Sequence, residues 1–64
     1  MTVSLKAARV NAGLTQKDAA ARVGVSERTL NKWENGKSFP TIDRFIGLCH
    51  LYGVQTDDIC LPNK

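Results

Sequence analysis

The chain has 64 residues, of which 42% are hydrophobic and 23% charged, and it carries a formal net charge of +3. This length suffices for a single small domain with a modest core, and the composition is ordinary for a soluble globular protein. No apolar run approaches membrane-spanning length, and the N-terminus lacks the basic segment and apolar core of a secretory signal. We therefore expect a single domain over residues 1–64 in the cytoplasm, with both cysteines as reduced thiols.

Capping residues and glycines recur at regular intervals along the chain and predict five helices. Residues with N-capping side chains precede each helical pattern, and a glycine follows each of the first four patterns. No segment alternates with a period of two over a useful length, so no strand is expected. The predicted fold class is all-α, with helices at about residues 3–12, 15–23, 26–35, 41–52 and 56–60, and with N-caps at Thr2 or Ser4, Thr15, Ser26, Thr41 and Thr56.

Residues 15–35 form the segment around which the chain is organised. Thr15 is a candidate N-cap, and Asp18 three positions later can complete a capping box. Gly24 is suited to ending that helix in the left-handed conformation, and Ser26 can cap the next one. Two helices joined by so short a connector must cross at a steep angle. This pattern is typical of a helix-turn-helix, whose second helix enters a DNA groove.

The third predicted helix has two chemically distinct faces. Leu30 and Trp33 lie three residues apart and should pack inward. The opposite face carries only polar side chains that can hydrogen-bond to bases or phosphates. A solvated outer face is the commonest meaning of such a pattern. The tight turn and the alanine-rich helix before it favour DNA binding instead. The polar residues are Glu27, Arg28, Asn31, Lys32 and Asn35.

Helical spacing also predicts the core. On helix one, Leu5, Ala8 and Ala12 share a side, whereas Val10 should face outward. Helix four carries a longer apolar stripe, which Gly47 interrupts at a cost of up to about 1 kcal/mol relative to alanine. The predicted core residues of that stripe are Ile42, Phe45, Leu48, Cys49 and Tyr52.

Positive charge is concentrated in the helix-turn-helix part of the chain. Residues 1–39 contain seven Lys/Arg against three Asp/Glu, a net +4, whereas residues 40–64 contain two against three, a net −1. A basic region suits the sequence-independent attraction to phosphates. The imbalance is a weak indication by itself, because many small domains carry similar charges.

The residues that could perform chemistry do not form a recognisable site. Cys49, His50 and Cys60 match no zinc-binding spacing, and a fourth ligand is not evident. Cys49 is better explained as a small buried hydrophobe. The sequence contains no glycine-rich loop of the kind that binds phosphates. It also contains no pair of carboxylates placed to act in a catalytic cleft. We therefore predict neither an enzyme nor a protein that requires a metal, cofactor or small-molecule substrate.

The combined spacing of several motifs resembles the helix-turn-helix domains of lambdoid-phage repressors and Cro, the XRE type. The resemblance covers about residues 3–60 and implies a compact five-helix domain like that of lambda repressor. A departure is Ala19, where the family usually carries a larger aliphatic residue, so packing there should be thinner. The matching segments are Leu14-Thr15-Gln16, Ala19-Ala20, Gly24-Val25-Ser26, Leu30 and Trp33-Glu34-Asn35-Gly36-Lys37, with Pro40 following.

The resemblance assigns roles to individual residues. It implies a salt bridge between Arg9 and Glu34, in which the guanidinium can donate two hydrogen bonds to the carboxylate. Helix three is expected in the major groove, where its side chains contact bases and Ser26 reaches a base or a phosphate. Other residues would hold the DNA backbone, among them Gln16 at the first turn of helix two. The expected base contacts are Ser26, Glu27, Arg28, Asn31 and Lys32, and the expected phosphate contacts are Gln16, Lys17, Asn35, Lys37 and Ser38.

Together these features predict a sequence-specific regulator that binds double-stranded DNA, most simply a repressor that occupies a promoter. An antitoxin or a restriction-modification controller would use the same fold, and a protein-interaction module could retain it without binding DNA. We expect a weak homodimer that pairs on a palindromic operator, since one small module reads few base pairs. Val54 and Leu61 are the candidate dimer contacts, with Ile59 in the core. The alternative is that Leu61 only covers the core.

Overall fold

A computed structural model describes residues 2–61, so Met1 and residues 62–64 of the predicted domain lie outside the described residues. The described chain contains four α-helices and a 3-10 turn, which confirms the all-α class. The fifth predicted helix, at 56–60, is instead the three-residue 3-10 turn. The elements are α1 (Leu5–Asn11), α2 (Gln16–Val23), α3 (Glu27–Glu34), α4 (Ile42–Tyr52) and the turn Thr56–Asp58.

Side-chain caps set the beginnings of the α-helices. Ser4, Thr15 and Ser26 each accept a hydrogen bond from the backbone N–H three residues later, at 3.0, 3.1 and 3.1 Å respectively. These bonds satisfy N–H groups that have no acceptor within the helix. The predicted cap at Thr56 is wrong. Gln55 precedes the 3-10 turn instead, and its backbone N–H donates to Asp58 Oδ2 at 3.3 Å.

The two ends of the described chain are joined by backbone hydrogen bonds. The Val3 N–H donates to the Asp58 carbonyl and the Cys60 N–H donates to the Val3 carbonyl, both at 2.8 Å. These bonds create an isolated parallel bridge between Val3 and Ile59, the only strand-like pairing in residues 2–61. Because Val3 is extended in this bridge, α1 begins at Leu5 and not at residue 3.

The core lies between α2, α3 and α4, with α1 packed against α3 and α4. Ala19 is fully buried, so its small side chain is enclosed by its neighbours. Two core predictions are wrong. Ala12 is exposed because it follows the last residue of α1, and Ile42 is 73% exposed because it begins α4 and projects from its first turn. The buried hydrophobic cluster comprises Leu5, Ala8, Ala19, Ala20, Leu30, Trp33, Leu48 and Tyr52.

Two features of α4 fix its position against α2. Arg44 Nη1 donates to the carbonyl of Val23 at the end of α2, where a cation also complements the helix dipole. Gly47 faces the same helix, and a Cβ built on it would lie 4.0 Å from Val23 Cγ1. Among the described residues, no helix is long and apolar enough to cross a membrane.

Candidate nucleic-acid interface

Helix α3 separates apolar and polar side chains as its spacing predicts. Leu30 is completely buried and Trp33 is 6% exposed, which anchors the helix on the core. On the other side, Glu27, Arg28, Asn31 and Lys32 are all exposed. The outer face of α3 therefore presents hydrogen-bonding groups of both signs and no apolar side chain.

The first turns of α2 and α3 meet at a shallow concave surface. Five residues predicted to contact DNA line it, one from α2 and four from the start of α3: Gln16, Ser26, Glu27, Arg28 and Asn31. Lys17 is exposed beside Gln16. The Ser26 hydroxyl caps α3 and also donates to Thr29 Oγ1 at 2.9 Å, so it is held at the helix N-terminus. The structure thus brings the predicted base-contacting and phosphate-contacting residues of two helices together.

The predicted contacts at the far end of α3 are arranged differently. Asn35 Nδ2 donates to both the backbone carbonyl and Oδ1 of Asn31, each at 3.0 Å. This pair orients the Asn31 amide on the outer face of α3. Lys37 and Lys32 are exposed, whereas Ser38 is half-buried. Exposed positive charge is therefore also present outside the concave surface, at Lys32 and Lys37.

Arg9 and Glu34 lie together beneath this surface. Arg9 Nε is 2.8 Å from Glu34 Oε2, and Arg9 Nη2 is 3.4 Å from Oε1. Arg9 Nη1 also donates to the Leu14 carbonyl at 2.8 Å. The side chains of Arg9 and Glu34 are 9% and 2% exposed, respectively. The pair consequently ties α1 and the segment before α2 to the end of α3.

Glu34 has a second partner that sequence reasoning missed. Gln16 Nε2 donates to Glu34 Oε1 at 2.9 Å. The two residues are 18 positions apart, so no helical spacing could have indicated the contact. Only the crossing of α2 and α3 brings them together.

The predicted dimer contacts lie on the opposite half of the chain. Val54 and Leu61 are both partly buried against the core, and Ile59 packs there as well. The large hydrophobic side chains with the greatest exposure are elsewhere, at Val10, Phe39, Ile42 and Ile46. Any protein partner would therefore find more apolar area at the start of α4 than at Val54 and Leu61.

The titratable groups with perturbed pKa values are buried and lie away from the concave surface. Burial raises the pKa of Tyr52 to about 12, and Glu34 acts in the same direction while Arg9 opposes it. Burial, together with the charge of Asp58, also raises the pKa of the Cys49 thiol. Within residues 2–61, no group of three or more His, Cys, Asp or Glu residues is placed to hold a metal ion.

Comparison with known proteins identifies related sequences over nearly the whole chain. A family model described as helix-turn-helix matches residues 5–59. The chain is 40% identical over 53 residues to the HTH-type transcriptional regulator ImmR of Bacillus subtilis (strain 168). That match covers 83% of this chain but only 42% of ImmR.

A second relative is similar in length to this chain. It is the uncharacterized HTH-type transcriptional regulator MJ0272 of Methanocaldococcus jannaschii, 36% identical over 59 residues, and the match covers 92% of this chain and 89% of the relative. The family match includes α1 to α4 and the 3-10 turn. The chain therefore belongs to the XRE-type helix-turn-helix family, as its spacing of caps, glycines and buried residues indicated.

Proposed function

We propose that this chain binds double-stranded DNA as the reading domain of a transcription regulator, with α3 in the major groove. The observation that carries the proposal is the concave surface where Gln16 of α2 adjoins Ser26, Glu27, Arg28 and Asn31 at the start of α3. A recognition helix contacts bases through its N-terminal residues, and the preceding helix contacts the backbone. The names of the two relatives, both described as transcriptional regulators, agree with this role.

Arg28 and Glu27 are the proposed centre of base reading. An arginine can donate two hydrogen bonds to guanine, and a glutamate can accept one from cytosine N4. Both side chains are exposed on the first turn of α3. Ser26, Asn31 and Lys32 would add base contacts. Asn31 would do so from an amide already oriented by Asn35.

Phosphate contacts would set the register of the domain. Lys17 and Lys37 are exposed cations, and Gln16 begins α2, where the first N–H groups have no acceptor within the helix. Asn35 and Ser38 complete the proposed set. Such contacts supply affinity and orientation without sequence information.

The mode of regulation proposed is repression by occupancy, in which the bound domain blocks a promoter and no chemical step is needed. A protein-interaction module is less well supported, because a protein-binding α3 would expose apolar side chains. The outer face of α3 exposes none.

We further propose that two copies pair weakly on a palindromic operator, with their recognition helices in successive major grooves about 34 Å apart. Val54 and Leu61 are the proposed contacts from the C-terminal half. Because both are partly buried, each offers little area, which is consistent with pairing on DNA and not in free solution. Binding to a half-site and to a full palindrome tests this proposal. Equal affinity per half-site, without cooperativity, would exclude pairing.

Selection of bound sequences from a random DNA pool is the principal test of DNA reading. We expect a defined site, and we expect Arg28→Ala to weaken binding to it by about 1–3 kcal/mol while relaxing the preference at one base pair. Glu27→Ala should reduce discrimination more than non-specific affinity. Lys6→Ala is the matched control, since Lys6 is an exposed cation on α1 that makes none of the proposed contacts. Unchanged binding of cognate and scrambled duplexes by both α3 variants would refute the assignment.

Salt dependence tests the proposal without knowledge of the site. Lys37→Ala should weaken binding to all sequences and reduce the slope of log affinity against log salt by about one. A slope near zero for the unmodified protein would remove the DNA-binding proposal altogether.

A further inference from the structure

We infer that Glu34 is a positioning residue, which holds the side-chain amide of Gln16 in one orientation for contact with the DNA backbone. This inference rests on the proposed function and assigns the buried pair a second role besides joining helices. Glu34 itself is buried and cannot reach DNA, so its effect must pass through Gln16.

The hydrogen bonds around Glu34 fix its carboxylate from two sides. Arg9 Nε donates to Oε2 at 2.8 Å, and Arg9 Nη2 reaches Oε1 at 3.4 Å. Gln16 Nε2 donates to Oε1 at 2.9 Å. With Arg9 anchored to the Leu14 carbonyl as well, the acceptor of the Gln16 bond cannot rotate freely.

The chemistry of the two groups determines which way the amide faces. An ionised carboxylate only accepts hydrogen bonds, so the NH2 group of Gln16, and not its oxygen, must face Glu34. One N–H is used in this bond. The second N–H and the amide oxygen remain for other partners, at a residue that lines the concave surface beside Arg28 and Asn31. The remaining N–H can donate to a phosphate oxygen.

Preorganisation explains why such a bond matters for binding. A free glutamine side chain has many rotamers and two amide orientations, and it loses this freedom when it binds DNA. Here Glu34 removes most of that freedom before DNA arrives. A contact made by an already ordered side chain retains more of its favourable free energy.

A double-mutant comparison on DNA tests the coupling. Gln16→Ala should weaken binding of the unmodified protein by about tenfold or more, the size expected for one hydrogen bond to a charged group. In the Arg9→Met/Glu34→Leu background the same change should cost less than about twofold, since the amide is no longer positioned. This background removes both buried charges together, so it avoids a stranded charge. Glu34→Gln is a second background that keeps the shape and replaces the charged acceptor with a neutral one, and it should also reduce the effect of Gln16→Ala. Because it leaves the Arg9 charge without its carboxylate, binding is measured at a temperature where a melting curve shows this variant to be folded.

A measurement without DNA isolates the contact itself. Gln16 and Gln55 are the two glutamines of the chain, so their side-chain NH2 resonances can be assigned by substitution. In the free protein, the Gln16 resonances should be displaced from free-glutamine values and should move toward them in the Arg9→Met/Glu34→Leu variant. The resonances of Gln55, which lies beside the 3-10 turn, should stay in place.

The outcomes separate the inference from the function on which it rests. If the unmodified protein selects a DNA site but Gln16→Ala costs the same in all three backgrounds, the positioning role is wrong and DNA binding stands. Free-glutamine shifts for Gln16 in the unmodified protein would overturn it equally. If the unmodified protein binds no duplex and shows no salt slope, the proposed function fails, and the role of Glu34 in DNA binding fails with it.

Discussion

Helices α3 and α4 are both amphipathic and both contribute fully buried leucines, Leu30 and Leu48, yet their outer faces differ. The outside of α3 is polar along its length, whereas α4 exposes Ile42 and Ile46, which lie one turn apart. Polar groups on α3 can exchange water for base edges and phosphates. Exposed isoleucines gain most from apolar contact with another protein surface. The buried residues of a helix therefore indicate how it packs in the fold, whereas its exposed residues indicate which kind of partner it can bind.

The largest effect is expected where α3 is tied to α1. Arg9→Met or Glu34→Leu alone should cost about 3–5 kcal/mol of unfolding free energy, because each strands a buried charge. Chemical denaturation measures this cost. The double variant should lose less than the sum of the two single changes. Small additive losses of a few tenths of a kcal/mol would mean that the two residues do not interact.

A direct contrast between the two helices comes from truncating one aliphatic residue on each. Leu30→Ala should destabilise the fold by about 2–5 kcal/mol, since it opens a cavity at a fully buried site. Ile42→Ala should change stability by no more than about 0.5 kcal/mol, because Ile42 is largely exposed. Urea melts of the two variants provide the comparison. A large loss of stability from Ile42→Ala would show that Ile42 is buried in the core and not exposed.

The exposed pair on α4 can also be tested for a protein contact. The Ile42→Ser/Ile46→Ser variant should keep the wild-type melting temperature within a few degrees. If this face contributes to pairing, the variant should bind a half-site normally but lose cooperativity on a full palindrome. Unchanged cooperativity would leave the C-terminal residues Val54 and Leu61 as the proposed contacts.

A smaller, stabilising effect is expected at Gly47 within α4. A methyl group at this position would be in ordinary contact with Val23, 4.0 Å away, and would not clash. Gly47→Ala should therefore raise stability by up to about 1 kcal/mol through helix propensity and reduced unfolded-state entropy. Gly53→Ala is the contrasting control, since Gly53 has a φ of 72° and the change should be destabilising. A loss of stability in Gly47→Ala would show that α2 and α4 pack more closely here.

No effect is expected at neutral pH from the raised pKa of Tyr52, but an effect should appear in alkali. The folded state prefers the neutral phenol, so its contribution is fully present below the unfolded pKa of about 10 and is lost as pH rises through about 12. Tyr52 is the only tyrosine of the chain, so ultraviolet absorbance reports its ionisation directly. Tyr52→Phe should flatten the fall in stability over this window. A midpoint near 10 in the folded protein would contradict the burial of the hydroxyl.

Much of the fold could be predicted from local chemistry. The capping hydroxyls of Ser4, Thr15 and Ser26 and the glycines that end the helices act within a few residues, so they are readable in the sequence. The predictions that were wrong concern the first or last residues of helices and the contacts between segments that are distant in the sequence. Ile42 follows the right spacing for the core but begins its helix, and Val3 leaves the predicted first helix to pair with Ile59.

The sequence by itself determined the helical class, the helix-turn-helix and the polar face of α3, because these follow from side-chain periodicity and capping along one segment. The tertiary structure alone decided how the helices cross, and with that which distant side chains meet. The bond from Gln16 to Glu34, the cap of Val23 by Arg44 and the exposure of Ile42 all follow from those crossings. Periodicity specifies the direction in which a side chain points from its own helix axis, but packing between helices specifies what it contacts there.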